Sequence, residues 1–324
     1  MINKEILDTT GLYTVQRYSD DKERDWNDFL NRSKNGNFLL NRQYMGYHSD
    51  RFKDHSLLIF RGSKLIALFP ANQRDKTTIS SHDGLTYGGL VTTGKVSTEQ
   101  VVNIFNAINE YYKALGVRTI VYKPSAWVFH DLPSEEDLYA ITNLCEARLV
   151  TRAISSSIRI PNRPTFSQSR RTAVHHAEKA GLIVKETEDY ETFWHILDDN
   201  LMERHQKHPV HSIAELQLLH SRFPDKIRLF MAYQEEKCLG GILMYDCGVT
   251  AHTQYISANA EGKELGAIDI IMNYLLTEVF DNKRFLDFGI STEDDGHYLN
   301  TSLIFQKEGF GGRGVCYDKY EWNL

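Results

Sequence analysis

Apolar positions along the chain fall into short alternating runs separated by longer stretches of helical spacing, and the arrangement occurs twice. In the first half, HSLLIFRGSKLIALFPANQ (55–73) is two apolar runs joined by the turn Arg61-Gly62-Ser63-Lys64, the pattern of a β-hairpin. In STEQVVNIFNAINEYYKALG (97–116), Val101, Ile104, Phe105, Ile108 and Tyr112 recur at helical spacing. Ser97 or Thr98 is placed to cap that helix and Gly116 to stop it, before the strand VRTIVYKP. In the second half, IRLFMAYQEEKCLGGILMYD (227–246) predicts another hairpin, with its turn at Gln234-Glu235-Glu236-Lys237. A helix over 267–280 follows, with Ile268, Ile271, Met272, Leu275 and Val279 on one face, and then the strand RFLDFGIS (284–291).

Between the halves, SIRI (157–160) reads as a strand, Asn162 with two prolines as a loop, and Ser167–Ala180 as a helix ended by Gly181. A further helix over 189–206 has Phe193, Ile196, Leu197 and Leu201 as its core face. Two αβ units of the same order predict a duplicated α/β fold, layered α+β, with mixed sheets flanked by helices. The expected domains are 1–155 and 156–324.

Composition narrows the class. With 324 residues, the chain is long enough for two domains that each bury a core. A net charge of −6 argues against DNA binding and against affinity dominated by nucleic-acid phosphates. Cys145, Cys238, Cys247 and Cys316 form no CxxC pair, so reduced thiols and a cytoplasmic setting are expected. The opening MINKEILDTTGLYTV lacks an apolar core of signal-peptide length, and no stretch approaches a transmembrane span. His205, His208 and His211 repeat at intervals of three, but Pro209 interrupts them and no carboxylate joins at ligand spacing, so no metal is expected. Ser81-His82-Asp83 is not read as a hydrolytic triad, because adjacent residues rarely face one another.

Four segments, in order, resemble the FemABX-type proteins. ALFPANQ followed by SSHDGLTYGGLV (80–91) is similar to the end of that family's first hairpin and the loop after it. SRRTAVHHAEKAGLIVKE (169–186) looks like the element that opens its second domain. RFLDFGIS and LIFQKEGFGGRGV (303–315) resemble its Phe-Asp-Phe-Gly strand and terminal Phe-Lys-x-x-Phe-Gly segment. The resemblance implies two fused copies of the GNAT acyl-CoA N-acyltransferase fold, the second carrying a donor site. It implies acyl or aminoacyl transfer to an amine of a small molecule or a cell-envelope glycan precursor.

In a GNAT domain the segment Lys263-Glu-Leu-Gly266-Ala267-Ile268 occupies the place of the acyl-CoA pyrophosphate loop, with Ile268 where a small residue is usual. Lys263, Gly266 and Ala267 are therefore the candidate donor contacts, against a plainer reading of the turn as a connector. The expected co-substrate is acyl-CoA, with no tightly bound cofactor. An aminoacyl-tRNA donor is disfavoured by the net charge and by the lack of heptads for a coiled-coil arm. Asp287, on an apolar strand, needs a partner or a use. Together with His252 and Tyr255 it is a candidate for catalysis, the plainer reading being packed core residues. Strict alternation places His252, Gln254 and Ile256 on one strand face and Thr253 and Tyr255 on the other. Tyr87 in the first-half loop, Arg171 in the basic helix and Lys307 near the terminus are candidate substrate contacts. A non-catalytic binding protein on the same scaffold is the alternative; a Rossmann enzyme is a third option, against which no GxGxxG follows an early strand.

Overall fold

The computed structural model describes residues 12–324, with the side chains of Arg204 and His205 outside the description. The start of the N-terminal stretch and the His205 imidazole weighed above therefore lie outside the described residues. The chain forms two compact units. One runs through Ala153 and takes in Asp295–His297 and Cys316–Leu324; the other holds Ile154–Asp294 and Tyr298–Val315.

The first unit contains β1 (Tyr13–Arg17), α1 (Glu23–Leu30), α2 (Arg42–Met45), β2 (Lys53–Asp54), β3 (Leu57–Arg61) and β4 (Lys64–Phe69). It continues through β5 (Asn72–Gln73), β6 (Thr78–Ser80), β7 (Val91–Thr92), α3 (Thr98–Ala114), β8 (Thr119–Tyr122), α4 (Glu136–Asn143) and the start of β9 (Arg148–Arg159). Strands β1-β3-β4-β7 make one antiparallel sheet, with Arg61 opposite Lys64 at the closed end of the expected hairpin. Gly62 takes the left-handed conformation there (φ +57°), as a two-residue turn with glycine in first place requires. Helix α3 begins with a capping box: the Ser97 hydroxyl accepts from Gln100 N, and the Gln100 side chain accepts from Ser97 N. Its apolar face, including Ile104, Phe105, Ile108 and Tyr112, lies in a core with Leu57, Ile59 and Tyr122.

The second unit adds α5 (Gln168–Lys179), β10 (Ile183–Thr187), α6 (Tyr190–His205), α7 (Ile213–Arg222), β11 (Ile227–Gln234), β12 (Lys237–Asp246) and β13 (Thr250–Ala258). After these come α8 (Ala260–Leu265), α9 (Ala267–Tyr274), β14 (Phe285–Ile290), β15 (Thr292–Glu293), β16 (Tyr298–Leu299), α10 (Thr301–Gly309) and the start of β17 (Arg313–Asn323), which from Cys316 on belongs to the first unit. Its sheet runs β10-β11-β12-β13-β14-β9. One face carries the core shared with α5 and α9, built on residues such as Ile158, Ile242, Met244, Ala251, Ile271 and Leu286. Helix α6 covers the other face, close enough that a Cβ on Gly241 of β12 would lie 2.8 Å from the Phe193 ring.

One expected helix is built differently. Instead of a single run over 267–280, helical structure starts at Ala260, breaks at left-handed Gly266 (φ +79°), resumes as α9 and ends in a wider π-helical turn over 275–279. The Asn259 side chain accepts from Gly262 N and opens α8, a capping signal that apolar periodicity does not register. A Cβ on Gly262 would lie 2.1 Å from the Leu239 carbonyl oxygen, so only glycine lets α8 sit on β12.

Candidate active site

The site begins with an irregular strand. Along β13, Tyr245 of β12 lies opposite His252 and Leu243 opposite Tyr255, with the register slipping between them. Residues 243 and 245 share a face of β12, so His252 and Tyr255 share a face of β13. The extra residue, Gln254, is a β-bulge, and it overturns the strict alternation expected from sequence, which placed His252 and Tyr255 on opposite faces. On its other side β13 pairs in parallel with β14 only at Thr250–Phe285, Ala251–Leu286 and His252–Asp287. Beyond that point β13 runs on to Ala258 without a β14 partner, so the two strands splay apart immediately after His252 and Asp287.

Asp287 sits at the fork with no solvent exposure. Its Oδ2 accepts from His252 Nδ1 (2.9 Å) and from Gly289 N (2.9 Å). Its Oδ1 accepts the hydroxyls of Ser155 (2.7 Å) and Ser157, both on β9. Burial alone would push its carboxyl up, but the donors from His252, Ser157 and Ser155 outweigh burial and hold it below the ordinary carboxylate value. The ionised Asp287 fixes the tautomer of His252: Nδ1 carries the proton, and the basic lone pair is on Nε2.

Gly289 links this pair to a third group. Its left-handed backbone (φ +73°) lies in the register break of the β14–β9 ladder, between the pairs Asp287–Ser157 and Ile290–Ser155, and a Cβ there would lie 3.3 Å from His252 Cε1. Its carbonyl, with that of Ile290, accepts from Lys307 Nζ at 2.9 Å each. Lys307 comes from α10 and is buried. Burial brings its ammonium down to about 8, against the opposing pull of the Asp287 charge. Asp287, His252 and Lys307, read separately from sequence, thus converge on one glycine turn.

The other candidates have their own partners. The Tyr255 hydroxyl bonds His211 Nδ1 (2.8 Å), its ring meets Trp194 edge-on, and burial raises its phenol. Lys263 bonds the Asn200 side chain. A Cβ on Gly266 would lie 2.7 Å from the Ala173 carbonyl oxygen of α5, and Ala267 is buried. In the first turn of α9, Asp269 pairs with Arg170 at 3.0 Å. Arg171 donates to the Phe166 carbonyl (2.8 Å) and lines a surface pocket of about 440 Å³ with Phe166, His175 and Glu178. Tyr87, in the first unit, is buried and accepts from the Asn37 amide at 2.6 Å. Asp83 is bound by Arg74, Ser80 and Asn72 rather than by His82. His208 pairs with Asp198 at 2.7 Å, and no metal-binding cluster of three ligands occurs among the described residues.

Ser155 and Ser157 were missed by sequence reading. Their signal was present: two hydroxyls two residues apart fall on one face of a strand whose other face, at Ile158 and Ile160, is core. His211 had no such signal, since a loop and the bulge bring it to Tyr255.

The strand order, the parallel pair that splays and the helix between β13 and β14 define a GNAT domain, and the chain carries two such units. No family model matches the sequence, and no curated protein matches it significantly. Solved structures do. The chain is similar to FemX with a TM-score of 0.69 at 12% identity, over 96% of this chain and 97% of that one. L-PGS from Bacillus licheniformis superposes with a TM-score of 0.59 at 11% identity, over 95% and 92%. A tandem GNAT protein from the clavulanic acid biosynthesis pathway does so at 0.51 and 10%, over 96% and 98%. The fold is accordingly FemABX-like, a duplicated GNAT fold. No helix among the described residues is long and apolar enough to cross a membrane.

Proposed function

We propose that the protein is an N-acyltransferase that moves an acyl or aminoacyl group to an amine of a small molecule or a cell-envelope glycan precursor. The reading rests on one observation: an ionised, fully bonded Asp287 orients His252 at the point where β13 and β14 part. In the reaction, the amine nitrogen bonds to the acyl carbon while the carbonyl π electrons move to oxygen. His252 Nε2 takes the amine proton, acting as general base. Backbone N–H groups of β13 beyond the splay and the protonated Lys307 stabilise the oxyanion. Collapse breaks the bond from the acyl carbon to the donor's sulfur or oxygen, and the leaving group recovers the proton from His252.

Acyl-CoA is the proposed donor, ahead of aminoacyl-tRNA, with Lys263, Gly266 and Ala267 as the proposed donor contacts. One observation favours the second reading, a non-catalytic binding protein. The α9 N-terminus already carries Asp269, and the Ala173 carbonyl faces Gly266, both poor company for a pyrophosphate.

The test is transfer from labelled acetyl-CoA, and separately from charged tRNA, to a panel of amines. The expected outcome is turnover that His252→Ala lowers by about 100-fold or more with the fold intact. Its rate should fall as pH rises through about 8, as Lys307 loses its proton, and Lys307→Arg should move that limb upward. No turnover with either donor leaves the binding-protein reading standing.

A further inference from the structure

The first unit has a strand fork of its own. Strands β6 and β8 run parallel through Thr78–Thr119, Ile79–Ile120 and Ser80–Val121 and do not pair with each other beyond, as β13 and β14 do not beyond His252–Asp287. There the segment 81–90 folds back on the end of β8. Ser81 N donates to the Val121 carbonyl (2.8 Å), Lys123 N to the Ser81 hydroxyl (2.7 Å) and Gly88 N to the Lys123 carbonyl (3.0 Å). A Cβ on Gly88 would lie 1.9 Å from the Ser81 carbonyl oxygen, so the fold-back is tight.

Titratable side chains hold the middle of this loop. His48 Nε2 donates to the Gly84 carbonyl (3.0 Å), and Lys123 Nζ to the Leu85 carbonyl (2.7 Å). His82, on the loop itself, is 2% exposed. Its ring stacks on that of His48, with centroids 5.3 Å apart and planes 15° from parallel, and Phe52 packs against both. His82 Nδ1 finds no hydrogen-bond partner among the described residues. The His82 backbone is left-handed (φ +75°), a conformation uncommon outside glycine.

A proton on His82 has little to stabilise it. Burial is the largest cost, His48, Lys123 beyond β8 and Arg42 of α2 add to it, and together they bring the imidazole down to about 3. Asp83 pulls the other way, but its carboxylate is already bound by Arg74, Ser80 and Asn72. Burial lowers His48 as well, with Arg51 opposing its proton and Asp50 favouring it. We propose that the His48–His82 stack is an acid-operated latch on the 81–90 loop. It holds the loop closed while both rings are neutral; a proton from solvent, bonding to a His82 ring nitrogen, drives that ring into water and frees the loop, with Tyr87 on it. The latch does not depend on the transferase reading. Because the enclosed ring is the weaker base, closure is independent of pH above the ordinary imidazole value of 6.5 and weakens as pH falls below it.

Amide hydrogen exchange of the whole chain, corrected for intrinsic rates and followed from pH about 8 down to about 4.5, tests the latch. Against burial, the hydrogen bonds of Arg74 and Ser80 hold Asp83 at about 2, so it stays ionised throughout. The protection of residues 84–90, relative to the α3 amides, should fall by up to about tenfold per pH unit below 6.5. His82→Asn removes the titrating ring yet suits the left-handed backbone, so its ratio should stay flat with pH. Unchanging protection in the wild type, or the same fall in His82→Asn, would overturn the proposal. If that variant does not fold, titration of the wild-type rings by NMR decides. A His82 ring that gains its proton below 6.5, together with the loss of loop protection, supports the latch. One that gains it at 6.5 with the loop still protected overturns it.

Discussion

The two units bury a carboxylate each, and the carboxylates behave in opposite ways. Asp287 in the second unit has four donors from His252, Ser155, Ser157 and Gly289. Asp137 in the first unit receives the Tyr122 hydroxyl and Leu138 N, and burial pushes it up to about 6. Both sit in low-dielectric surroundings. The number of donors decides how far each carboxyl is shifted: four hold Asp287 below its ordinary value, whereas two leave Asp137 raised by burial. The first carboxylate is tied to an imidazole at a strand fork, whereas the second is tied to a core tyrosine and raised by burial against that hydrogen bond.

The strand-to-helix turns differ in the same instructive way. In the second unit the turn is packed shut, Gly262 against Leu239 and Gly266 against Ala173. In the first, the loop before α3 borders an open, cationic pocket. Both units lead a strand into a helix through such a turn, and the packing around the two turns differs.

The largest effect expected from breaking this contrast comes at Asp287. Asp287→Ala leaves four buried donors without an acceptor and should cost about 3–5 kcal/mol in denaturant unfolding. A loss below about 1 kcal/mol would show that the fork is not held together by that carboxylate.

The pH dependence of stability should have opposite signs at the two sites. A carboxyl raised from 3.8 to about 6 stabilises most below its unfolded value, and that contribution is lost as pH rises through about 6. Asp137→Asn should therefore remove a decline worth up to about 3 kcal/mol between those values. The lowered Asp287 stabilises above the unfolded value and loses its contribution as pH falls, so Asp287→Asn should flatten the acid side instead. Unfolding midpoints of both variants, followed from well below pH 3.8 up to about 7, check the signs; parallel profiles would refute the contrast.

The smallest effect compares two left-handed glycines. Gly266→Ala combines backbone strain with a Cβ 2.7 Å from the Ala173 oxygen, and should cost about 2–3 kcal/mol. Gly62→Ala meets nothing within 4 Å, so only the strain remains, about 1 kcal/mol. Equal costs would mean that the second-unit turn is not packed as described.

Local chemistry was legible in the chain. The hairpins at 61–64 and 234–237, the Ser97 and Ser167 helix starts and the repeated αβ order follow from turn residues, caps and periodicity, which act over a few positions. The residue types of the site were legible as well, because a carboxylate on an apolar strand is costly enough to announce itself. What tertiary structure alone decided was which of them meet. The bulge at Gln254 turns Tyr255 to the His252 face, and the left-handed Gly289 joins Asp287 to Lys307 from a helix further along the chain. The close approach of α8 to β12 and of α5 to Gly266 fixes the turn that reads from sequence as a phosphate cradle or a connector. These outcomes depend on backbone register and on contacts between residues distant in sequence, and no window of neighbouring residues encodes them.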